Sequence, residues 1–594
     1  MAPKTSRYIP SIDGLRAIAV TAVILYHLGV NWIPGGFLGV DLFFCISGYV
    51  ITRQLLDSIE RKNGLDLREF YQARIRRLFP ALVFMLIGTI FIIAIGAPDS
   101  IKRYVSDLPY TLTGTENWHL VSIHQDYFAA IGRPPLLQHI WSLGVEAQFY
   151  LFWPLILLVV LRRFGKKNVA RISLGISALS GLVLFLYSIS ADHASSNRTS
   201  HIYFGTDTHS LGLFLGAALA VSWIPQNLGS TITDRAQDFV DGIGVFGLIG
   251  LLSTFLFINE GNAALYQIAF PLAAIFGCAT ITSLVHPASR FAPLIGSRPL
   301  LWIGERSYGI YLWHWVIFQI SRPSEDLAGA TWAINCARIL IVIALADISL
   351  RWIEIPIRRG KLADWLRGMK YRTLATQKRQ KILILASVFV ITLASSGAAW
   401  SAWVQNDSII KKNAALANEQ PPPVPTLSAD NRGKIGLWVT GDSIILGTHE
   451  KLAAKYPVAL VNARVGRQIG ELIQVVEQDG ASLQKDPVVF DLGNNNHLTI
   501  EDTQKLFALF KNQPKIIVVN AAVPRGWRDD NNRIIRQVAS NYSQAIVVDW
   551  ASISQGHPEY FAPDGIHLND VGGNVYVGAI SEALGNSIQQ LATK

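Results

Sequence analysis

The chain has 594 residues, of which 50% are hydrophobic and 16% charged, and its mean hydropathy is +0.31. A soluble enzyme carries about a quarter charged residues, so this composition indicates a protein that crosses a membrane many times. The net charge of +10 lies mostly in loops between apolar runs, which is typical of membrane topology and argues against nucleic acid as a partner. Cys45, Cys278 and Cys336 fall in apolar runs and predict packing rather than a metal or disulfide site.

Eleven apolar stretches are long enough to cross a bilayer as helices. They are 12–32, 37–55, 80–97, 140–161, 170–190, 207–224, 240–258, 264–285, 302–320, 330–352 and 381–403. The first stretch has no convincing cleavage site, so we expect it to remain as a membrane span. Residues 1–403 are therefore predicted to form a polytopic all-α membrane domain.

Lysine and arginine concentrate in three of the loops, 53–79, 162–171 and 354–381. These loops all lie on one side of the membrane if the N-terminus is cytoplasmic. An odd number of spans then places everything after residue 403 outside the cytoplasm. The pattern predicts a multi-pass protein of the bacterial inner membrane with an extracytoplasmic C-terminal domain.

A polar, proline-rich stretch at 404–433 predicts a semi-rigid linker to that domain. From 434 to 594, short β-branched runs alternate with helical stretches such as 501–512 and 570–584. The expected strands are 434–440, 457–462, 486–492, 515–521 and 544–549. This alternation favours a three-layer α/β domain, in which a parallel sheet is covered by helices on both faces.

The first of these strands runs into Ser443, and Asp564 and His567 stand near the end of the domain. A serine nucleophile needs a base within reach and a carboxylate that orients the base, and an aspartate three residues before a histidine supplies both. Asn495 follows the third strand and reaches the same sheet edge, where its amide, with backbone N–H groups such as that of Gly466, predicts an oxyanion hole.

This region resembles the SGNH-hydrolase family and, over 434–590, the extracellular domain of peptidoglycan O-acetyltransferases. The matching stretches are VTGDSIILG, VGRQIGE, FDLGNNN, VPRGW, DWASISQGHPEYF and DGIHLN. The resemblance implies that Ser443 is the nucleophile, His567 the base and Asp564 its orienter, with Gly466 and Asn495 as oxyanion donors. Asn496 departs from the family pattern. Arg525 and Trp527 are candidates for lining a glycan site, and a structural role is equally open for them.

Within the first span, Arg16 and His27 are eleven residues apart, on nearly the same helix face and about 16 Å apart along the axis. Charged or titratable side chains within a span are costly and usually functional. The alternative is that Arg16 reaches the interface and His27 is a hydrogen-bonded core residue. Asp41, Glu146 and His314 lie in other spans, and one bundle that holds them with His27 predicts a buried acid/base centre.

The membrane half, about 6–360, resembles the acyltransferase-3 family. The matching stretches are IPSIDGLRAIAV, GVDLFFCISGY, FYQARIRRLFPA, HIWSLGVEAQFYLFWP, SYGIYLWHW and WIEIPIRR. The resemblance implies an acyl-CoA donor, usually acetyl-CoA, bound from the cytoplasmic side.

The acyltransferase-3 resemblance also assigns roles to single residues. His27 is the essential histidine, Arg16 its paired basic residue, and Arg74 and Arg77 the donor-binding arginines. Glu146 matches the acid of the family's Trp-Ser-Leu-x-x-Glu motif, and we count Arg16 and Asp41 with the donor-binding residues. Two departures are His209, where many relatives have arginine, and Val316, where the family has proline.

These expectations combine into an O-acyltransferase that passes an acetyl group from acyl-CoA through a membrane carrier to Ser443 and then to an envelope glycan. No permanently bound cofactor or metal is expected, and acetyl-CoA is a substrate. The carrier stays open, with Tyr150 and Tyr311 as guesses. Peptidoglycan is the preferred acceptor, and lipopolysaccharide O-antigen or another envelope glycolipid is the alternative. A membrane-anchored esterase and a non-enzymatic glycan exporter are weaker alternatives.

Overall fold

The computed structural model describes most of the chain, which forms two compact units, the first made only of residues before Ile410 and the second mainly of residues after Ile409. The described residues are 8–62, 64–123, 125, 133–190, 196–258, 265–323, 326–327, 330–418, 436–464, 467–480, 483, 485–495, 498–523, 528–562 and 566–585.

The first unit is a bundle of helices, as the long apolar runs predict. Its α-helices are α1 Pro10–His27, α2 Gly39–Lys62, α3 Leu67–Gly96, α4 Ile101–Thr113, α5 Glu116–Ser122, α6 Trp141–Phe164, α7 Lys166–Ser190, α8 Ser196–Phe204, α9 Thr206–Ser222, α10 Asp234–Phe257, α11 Phe270–Leu284, α12 Ala292–Ile295, α13 Arg298–Ile320, α14 Thr331–Ile348, α15 Ile355–Arg358, α16 Lys361–Met369 and α17 Leu374–Asn418. Two π-helical segments, Leu265–Ala269 and Ser349–Glu354, precede α11 and α15.

Nine helical stretches of the described chain have the length and hydropathy to cross a membrane, against eleven predicted spans. They are Gly36–Arg61, Leu67–Gly96, Gln138–Phe164, Lys166–Ile189, Ser200–Asn227, Asp234–Phe257, Tyr266–Leu284, Thr331–Arg358 and Leu374–Ser408. The other two predicted spans correspond to α1 and α13, which are helical and largely buried in the bundle core. These helices indicate that the first unit belongs to a multi-pass membrane protein.

Close helix contacts in this bundle depend on glycines. A Cβ on Gly14 of α1 would lie 1.8 Å from the Ile295 carbonyl oxygen, and one on Gly304 of α13 would lie 1.9 Å from the Asp13 carbonyl oxygen. Helix α1 therefore packs directly against the α12–α13 region, which brings its polar residues close to those of α13.

Helix α17 is longer than the predicted span 381–403. It has 45 residues and continues to Asn418, so the first part of the predicted linker is helical. The prolines of that linker lie outside the described residues. A helix of this length is about 68 Å long, which exceeds the thickness of a bilayer core.

The second unit contains the five predicted strands, with boundaries within three residues of those expected. They are β1 Leu437–Gly441, β2 Val458–Ala463, β3 Val488–Asp491, β4 Ile516–Val519 and β5 Ala545–Val548. All pair in parallel in the order β2-β1-β3-β4-β5. The helices are α18 Ser443–Ala453, α19 Ile469–Asp479, α20 Ile500–Leu509, α21 Arg528–Ala539, α22 Trp550–Ile553 and α23 Asp570–Leu584.

Alternate side chains of the strands enter two separate hydrophobic clusters. Trp438, Val488 and Phe490 pack with residues of α19, α20 and α21. Leu437, Val439 and Val489 pack with residues of α18 and α23. Because β1 and β3 are neighbours while β2 lies on the far side of β1, the chain reverses its direction of winding between β1 and β3. In open α/β sheets, the crevice at such a switch point is the usual place for a site.

Candidate functional sites

The C-terminal unit places Ser443 at this switch point. Ser443 is the first residue of α18, and one residue, Asp442, separates it from Gly441 at the end of β1. A Cβ on Gly441 would lie 1.9 Å from Asp491 Oδ1, and the φ of Gly441 is +151°, so glycine is required there. Within the described chain, no hydrogen bond joins the Ser443 hydroxyl to another residue.

Asp442, the residue before the serine, organises the surrounding polar groups. Its backbone N–H donates to Asp491 Oδ1 at 2.8 Å, and its side chain accepts from the Ile444 N–H at 2.9 Å and so caps α18. The Asn494 and Asn495 amides donate to Asp442 Oδ2 at 3.0 and 2.7 Å. The two loops that follow β1 and β3 are thus fastened together beside Ser443.

Asn495, the predicted oxyanion donor, contacts Asp442, the residue before Ser443, and its side-chain amide already forms hydrogen bonds. Its amide nitrogen donates to Asp442 and also to the Arg467 carbonyl oxygen at 3.2 Å. These two contacts occupy both of its hydrogens. Donation to an oxyanion therefore requires that one of them be shared or released.

Asp491 is a second buried carboxyl group at the end of β3. Burial, together with the adjacent Asp442 carboxylate, raises the pKa of Asp491 well above its usual range. Protonation of Asp491 would remove the repulsion between the two neighbouring carboxyl groups. This aspartate was not among the residues predicted from the sequence, although its position as the last residue of a buried strand could have indicated it.

His567 is exposed and lies on the segment between β5 and α23. A bridge between Phe561 and Leu568 and a 2.7 Å hydrogen bond from the Ala562 N–H to the His567 carbonyl hold this segment. Asp564, Gly466, Arg525 and Trp527, which complete the predicted site, lie outside the described residues.

The first unit contains a cavity of about 800 Å³ at the end of the bundle where α1 and α3 begin. Three of the predicted donor-binding residues, Arg16, Arg74 and Arg77, line it, and so does Glu146. Arg53, Arg358 and Arg359 complete a set of six arginines, which face three carboxylates, those of Asp13, Glu146 and Glu305. The excess of positive charge suits an anionic ligand, because guanidinium groups bind phosphates through paired N–H donors.

The arginines of this cavity differ in how they are held. Arg16 pairs with Asp13 at 3.1 Å, and Arg74 donates to Gln54 Oε1 at 2.5 Å. The side chains of Arg77, Arg358 and Arg359 form no hydrogen bond or ion pair with any residue that the structure describes. These three guanidinium groups are the ones most available to a ligand.

Glu146 forms a small network with two hydroxyl groups on the cavity wall. The Ser47 and Tyr150 hydroxyls donate to its two carboxylate oxygens at 2.6 and 2.9 Å, and the two hydroxyls lie 3.3 Å apart. A second pair, Ser142 and Tyr311, shares a hydrogen bond of 2.7 Å on the same wall. Both tyrosines considered as carriers therefore line the cavity.

His27 does not line this cavity and instead belongs to a cluster of three histidines. Its Nδ1 lies 3.1 Å from His314 Nε2, and the His139 ring centroid lies 5.7 Å from that of His314. The Tyr311 hydroxyl donates to the His139 carbonyl at 2.8 Å, which connects the cluster to the cavity wall.

The single acid/base centre predicted from His27, Asp41, Glu146 and His314 is divided in the structure. His27 and His314 are together, Glu146 is on the cavity wall, and Asp41 lies outside the cavity lining with its Oδ1 3.5 Å from His209 Nδ1. Arg53, Arg358 and Arg359 were interpreted from sequence only as markers of topology, because their loops carry many basic residues. Arg358 ends α15, which follows the π-helical segment Ser349–Glu354, and π-helical segments often mark functional sites.

The fold and these sites define a multi-pass membrane protein that carries a separate α/β domain with a serine at its switch point. The family model described as an acyltransferase domain matches residues 9–351. The peptidoglycan O-acetyltransferase OatA of Listeria monocytogenes is 31% identical over 97% of this chain and 98% of its own length. The O-acetyltransferase OatA of Staphylococcus aureus is 32% identical over 97% of this chain and 96% of its own length.

A solved structure is also similar to part of the chain. That of LAE5, an alpha/beta hydrolase enzyme from the metagenome of Lake Arreo in Spain, covers 25% of this chain and 93% of its own length with 20% identity and a TM-score of 0.21. The chain belongs to the acyltransferase-3 family, as its membrane motifs predicted, and it is an O-acetyltransferase.

Proposed function

We propose that this enzyme takes an acetyl group from acetyl-CoA in the cytoplasm and delivers it to a hydroxyl of an extracytoplasmic glycan, with peptidoglycan as the acceptor. The observation that carries the proposal is the arginine-lined cavity in one unit combined with Ser443 at the switch point of the other. The printed name of the Listeria relative supports peptidoglycan as the acceptor.

The cavity supports an acyl-CoA donor. Its volume of about 800 Å³ and its arginines suit a large ligand with several phosphates. The six arginines of the lining come from α1, α2, α3 and the α15 region, and five of them lie within the basic loops 53–79 and 354–381. Because basic loops face the cytoplasm, we infer that the donor enters from that side.

The same charge pattern supports the proposed topology. If α1 and α13 cross the membrane with the nine apolar stretches, the count is eleven, the N-terminus is cytoplasmic and the C-terminal unit is outside. The bacterial inner membrane is the place where a cytoplasmic donor and an envelope glycan lie on opposite sides of one bilayer.

In the membrane step, we infer that His27 acts as the base for a carrier hydroxyl. His27 Nε2 takes the hydroxyl proton, the oxygen forms an ester with the acetyl carbon, the thioester C–S bond breaks, and the CoA thiolate takes the proton from His27. Glu146 and its two hydroxyl partners lie on the donor side of this step.

In the outer step, Ser443 takes the acetyl group from the carrier. His567, oriented by Asp564, accepts the Ser443 proton and returns it to the carrier oxygen. A glycan hydroxyl then attacks the acetyl-serine by the same route, with Gly466 and Asn495 as oxyanion donors and Arg525 and Trp527 beside the sugar. Helices on both faces of the sheet, in a three-layer arrangement, hold this edge rigid.

The proposal can be tested with purified full-length enzyme in proteoliposomes that enclose a glycan acceptor. Acetyl-CoA labelled in its acetyl group is added on the arginine side, and label in the enclosed glycan is measured by mass spectrometry. We expect label in peptidoglycan fragments and none with acetyl-CoA omitted. Label in lipopolysaccharide or glycolipid but not in peptidoglycan would overturn the acceptor, and release of free acetate from an acetylated glycan without transfer would favour an esterase.

A further inference from the structure

The three histidines of the membrane unit come from different elements and meet in its interior. His27 ends α1, His139 lies in the short helix Gln138–Ile140, and His314 lies in α13. His314 is fully buried and His139 is 1% exposed. In such a site, the protonated nitrogen of each ring is set by the partner of the other nitrogen.

The backbone fixes the tautomer of His314. Its Nδ1 lies 2.6 Å from the Tyr311 carbonyl oxygen, three residues earlier in α13. A carbonyl oxygen only accepts, so His314 Nδ1 carries a hydrogen. In the neutral ring, His314 Nε2 is then an acceptor with a lone pair.

A charged His314, with hydrogens on both nitrogens, does not fit its surroundings. The polar partners of His314 in the described chain are the backbone of Tyr311 and of Ile310 and the His27 ring, and its other contacts are with rings, so none of them is a carboxylate. Burying an imidazolium without a carboxylate partner is unfavourable, so the neutral form of His314 is favoured.

The tautomer of His27 follows from that of His314. His27 Nδ1 faces the acceptor Nε2 of His314 at 3.1 Å, and two lone pairs at that distance repel each other. His27 Nδ1 therefore carries the hydrogen and donates it to His314. The lone pair of the His27 ring is consequently on Nε2.

We infer that His314 is a positioning residue that fixes His27 in the tautomer with its basic lone pair on Nε2. This inference rests on the proposed function, in which His27 Nε2 takes the proton of the carrier hydroxyl. The Tyr311 carbonyl orients His314, and His314 orients His27. The same helix, α13, also places the Tyr311 hydroxyl on the cavity wall, so one element aligns the donor cavity with the base.

An imidazole differs from a carboxylate in this orienting role. A carboxylate beside His27 would bring a negative charge into the membrane interior and would favour the imidazolium form of His27. His314 supplies an acceptor without a charge, which leaves His27 neutral and able to take a proton. The Asp41 side chain contacts a different histidine, with its Oδ1 3.5 Å from His209 Nδ1.

The test uses full-length enzyme with ¹⁵N-labelled histidine in lipid nanodiscs and compares two substitutions of similar size. His314→Gln retains an acceptor oxygen, whereas His314→Leu has none. The ¹⁵N shifts of the two ring nitrogens report the tautomer, and the His27 signals are those missing from a His27→Asn sample. We expect wild-type His27 to be protonated at Nδ1 and unprotonated at Nε2, a pattern that Gln preserves and Leu abolishes.

Kinetics give the second readout. We expect His314→Leu to lower the kcat of acetyl transfer by about 100-fold and to leave the KM for acetyl-CoA unchanged, since His314 does not line the donor cavity. His314→Gln should recover a large part of kcat. If His27 is unprotonated at Nδ1 in the wild type, or if Leu leaves its spectrum and kcat unchanged, the inference is wrong. If the spectra agree but no acetyl transfer occurs in any sample, the proposed function fails and the tautomer assignment stands.

Discussion

The two units hold their functional residues in different ways. In the C-terminal unit, Ser443, Asp442 and Asn495 come from the ends of neighbouring parallel strands and meet at one edge of the sheet. In the membrane unit, Arg16 and His27 share one helix, yet only Arg16 lines the cavity, whereas His27 joins two other histidines. A sheet edge gathers site residues at one place, whereas membrane helices distribute them along the bilayer normal. That distribution suits a reaction whose donor and acceptor are on opposite sides.

The largest expected effect tests whether both units act in one reaction. Ser443→Ala removes the only nucleophile assigned to the outer step, and we expect glycan acetylation to fall by about 10⁴-fold or more. The matched control is Ser540→Ala, at an exposed serine that directly follows α21 and lies outside the site. Acetylated glycan is measured by mass spectrometry, and acetylation that survives Ser443→Ala would show that the units do not act in series.

The second-largest expected effect tests the role of His27 in the membrane unit. His27→Ala removes the proposed base, and we expect the rate of acetyl transfer to fall by about 10²- to 10⁴-fold. The exposed His557, which pairs with Glu559 in the C-terminal unit, gives the control His557→Ala. An unchanged initial rate of CoA release from acetyl-CoA would contradict a chemical role for His27.

A smaller expected effect distinguishes donor binding in the arginine-lined cavity from chemistry at the histidine cluster. Arg77→Ala removes a guanidinium group without a partner in the described chain, and a lost charged hydrogen bond raises the KM for acetyl-CoA by about 10- to 100-fold. We expect kcat to change little, in contrast to His27→Ala. Arg367→Ala, which removes an exposed arginine paired with Asp364, should leave both parameters unchanged. If Arg77→Ala changes kcat and leaves KM unaltered, the cavity is not the donor site.

The smallest effect concerns stability in the C-terminal unit. Because the pKa of Asp491 is raised, the folded state binds a proton that the unfolded state releases once the pH exceeds the ordinary carboxyl value. The free energy of unfolding therefore falls as pH rises toward the raised pKa. Asp491→Asn mimics the protonated form and should remove this decline.

Hydrogen exchange in β1 and β3 of the full-length enzyme measures this effect in the C-terminal unit alone. Asp530→Asn, at an exposed aspartate paired with Arg533, is the control and should keep the wild-type slope. Protection that increases with pH in the wild type, after correction for intrinsic exchange, would contradict a protonated Asp491.

The difference between the units also explains what could be predicted from the sequence. All five strands and the position of Ser443 beside Asn495 were predictable, because strand ends in a parallel sheet converge whatever the loops between them do. Arg74 and Arg77, three residues apart in a motif of α3, were singled out from the sequence, and both line the cavity. Arg358 also lines it but was not singled out, because it lies in a loop with many other basic residues.

Pairing among intramembrane residues was the least predictable feature. His27, Asp41, Glu146 and His314 share the property of being polar in apolar spans, and periodicity gives only the helix face that each occupies. Which of them meet depends on close helix contacts such as that of Gly14 with the Ile295 carbonyl. The Asp442–Asp491 pair was also not predictable from the sequence. It depends on the close approach of the backbone at Gly441 to the Asp491 carboxyl group.

The central claim is that His27 in the membrane unit loads Ser443 in the C-terminal unit. The most direct measurement gives wild-type and His27→Ala enzyme labelled acetyl-CoA without any glycan acceptor and determines the mass of the peptide that contains Ser443. We predict one labelled acetyl group on Ser443 in the wild type and none in His27→Ala. An unlabelled Ser443 in the wild type during active glycan acetylation, or a labelled Ser443 in His27→Ala, would contradict the account.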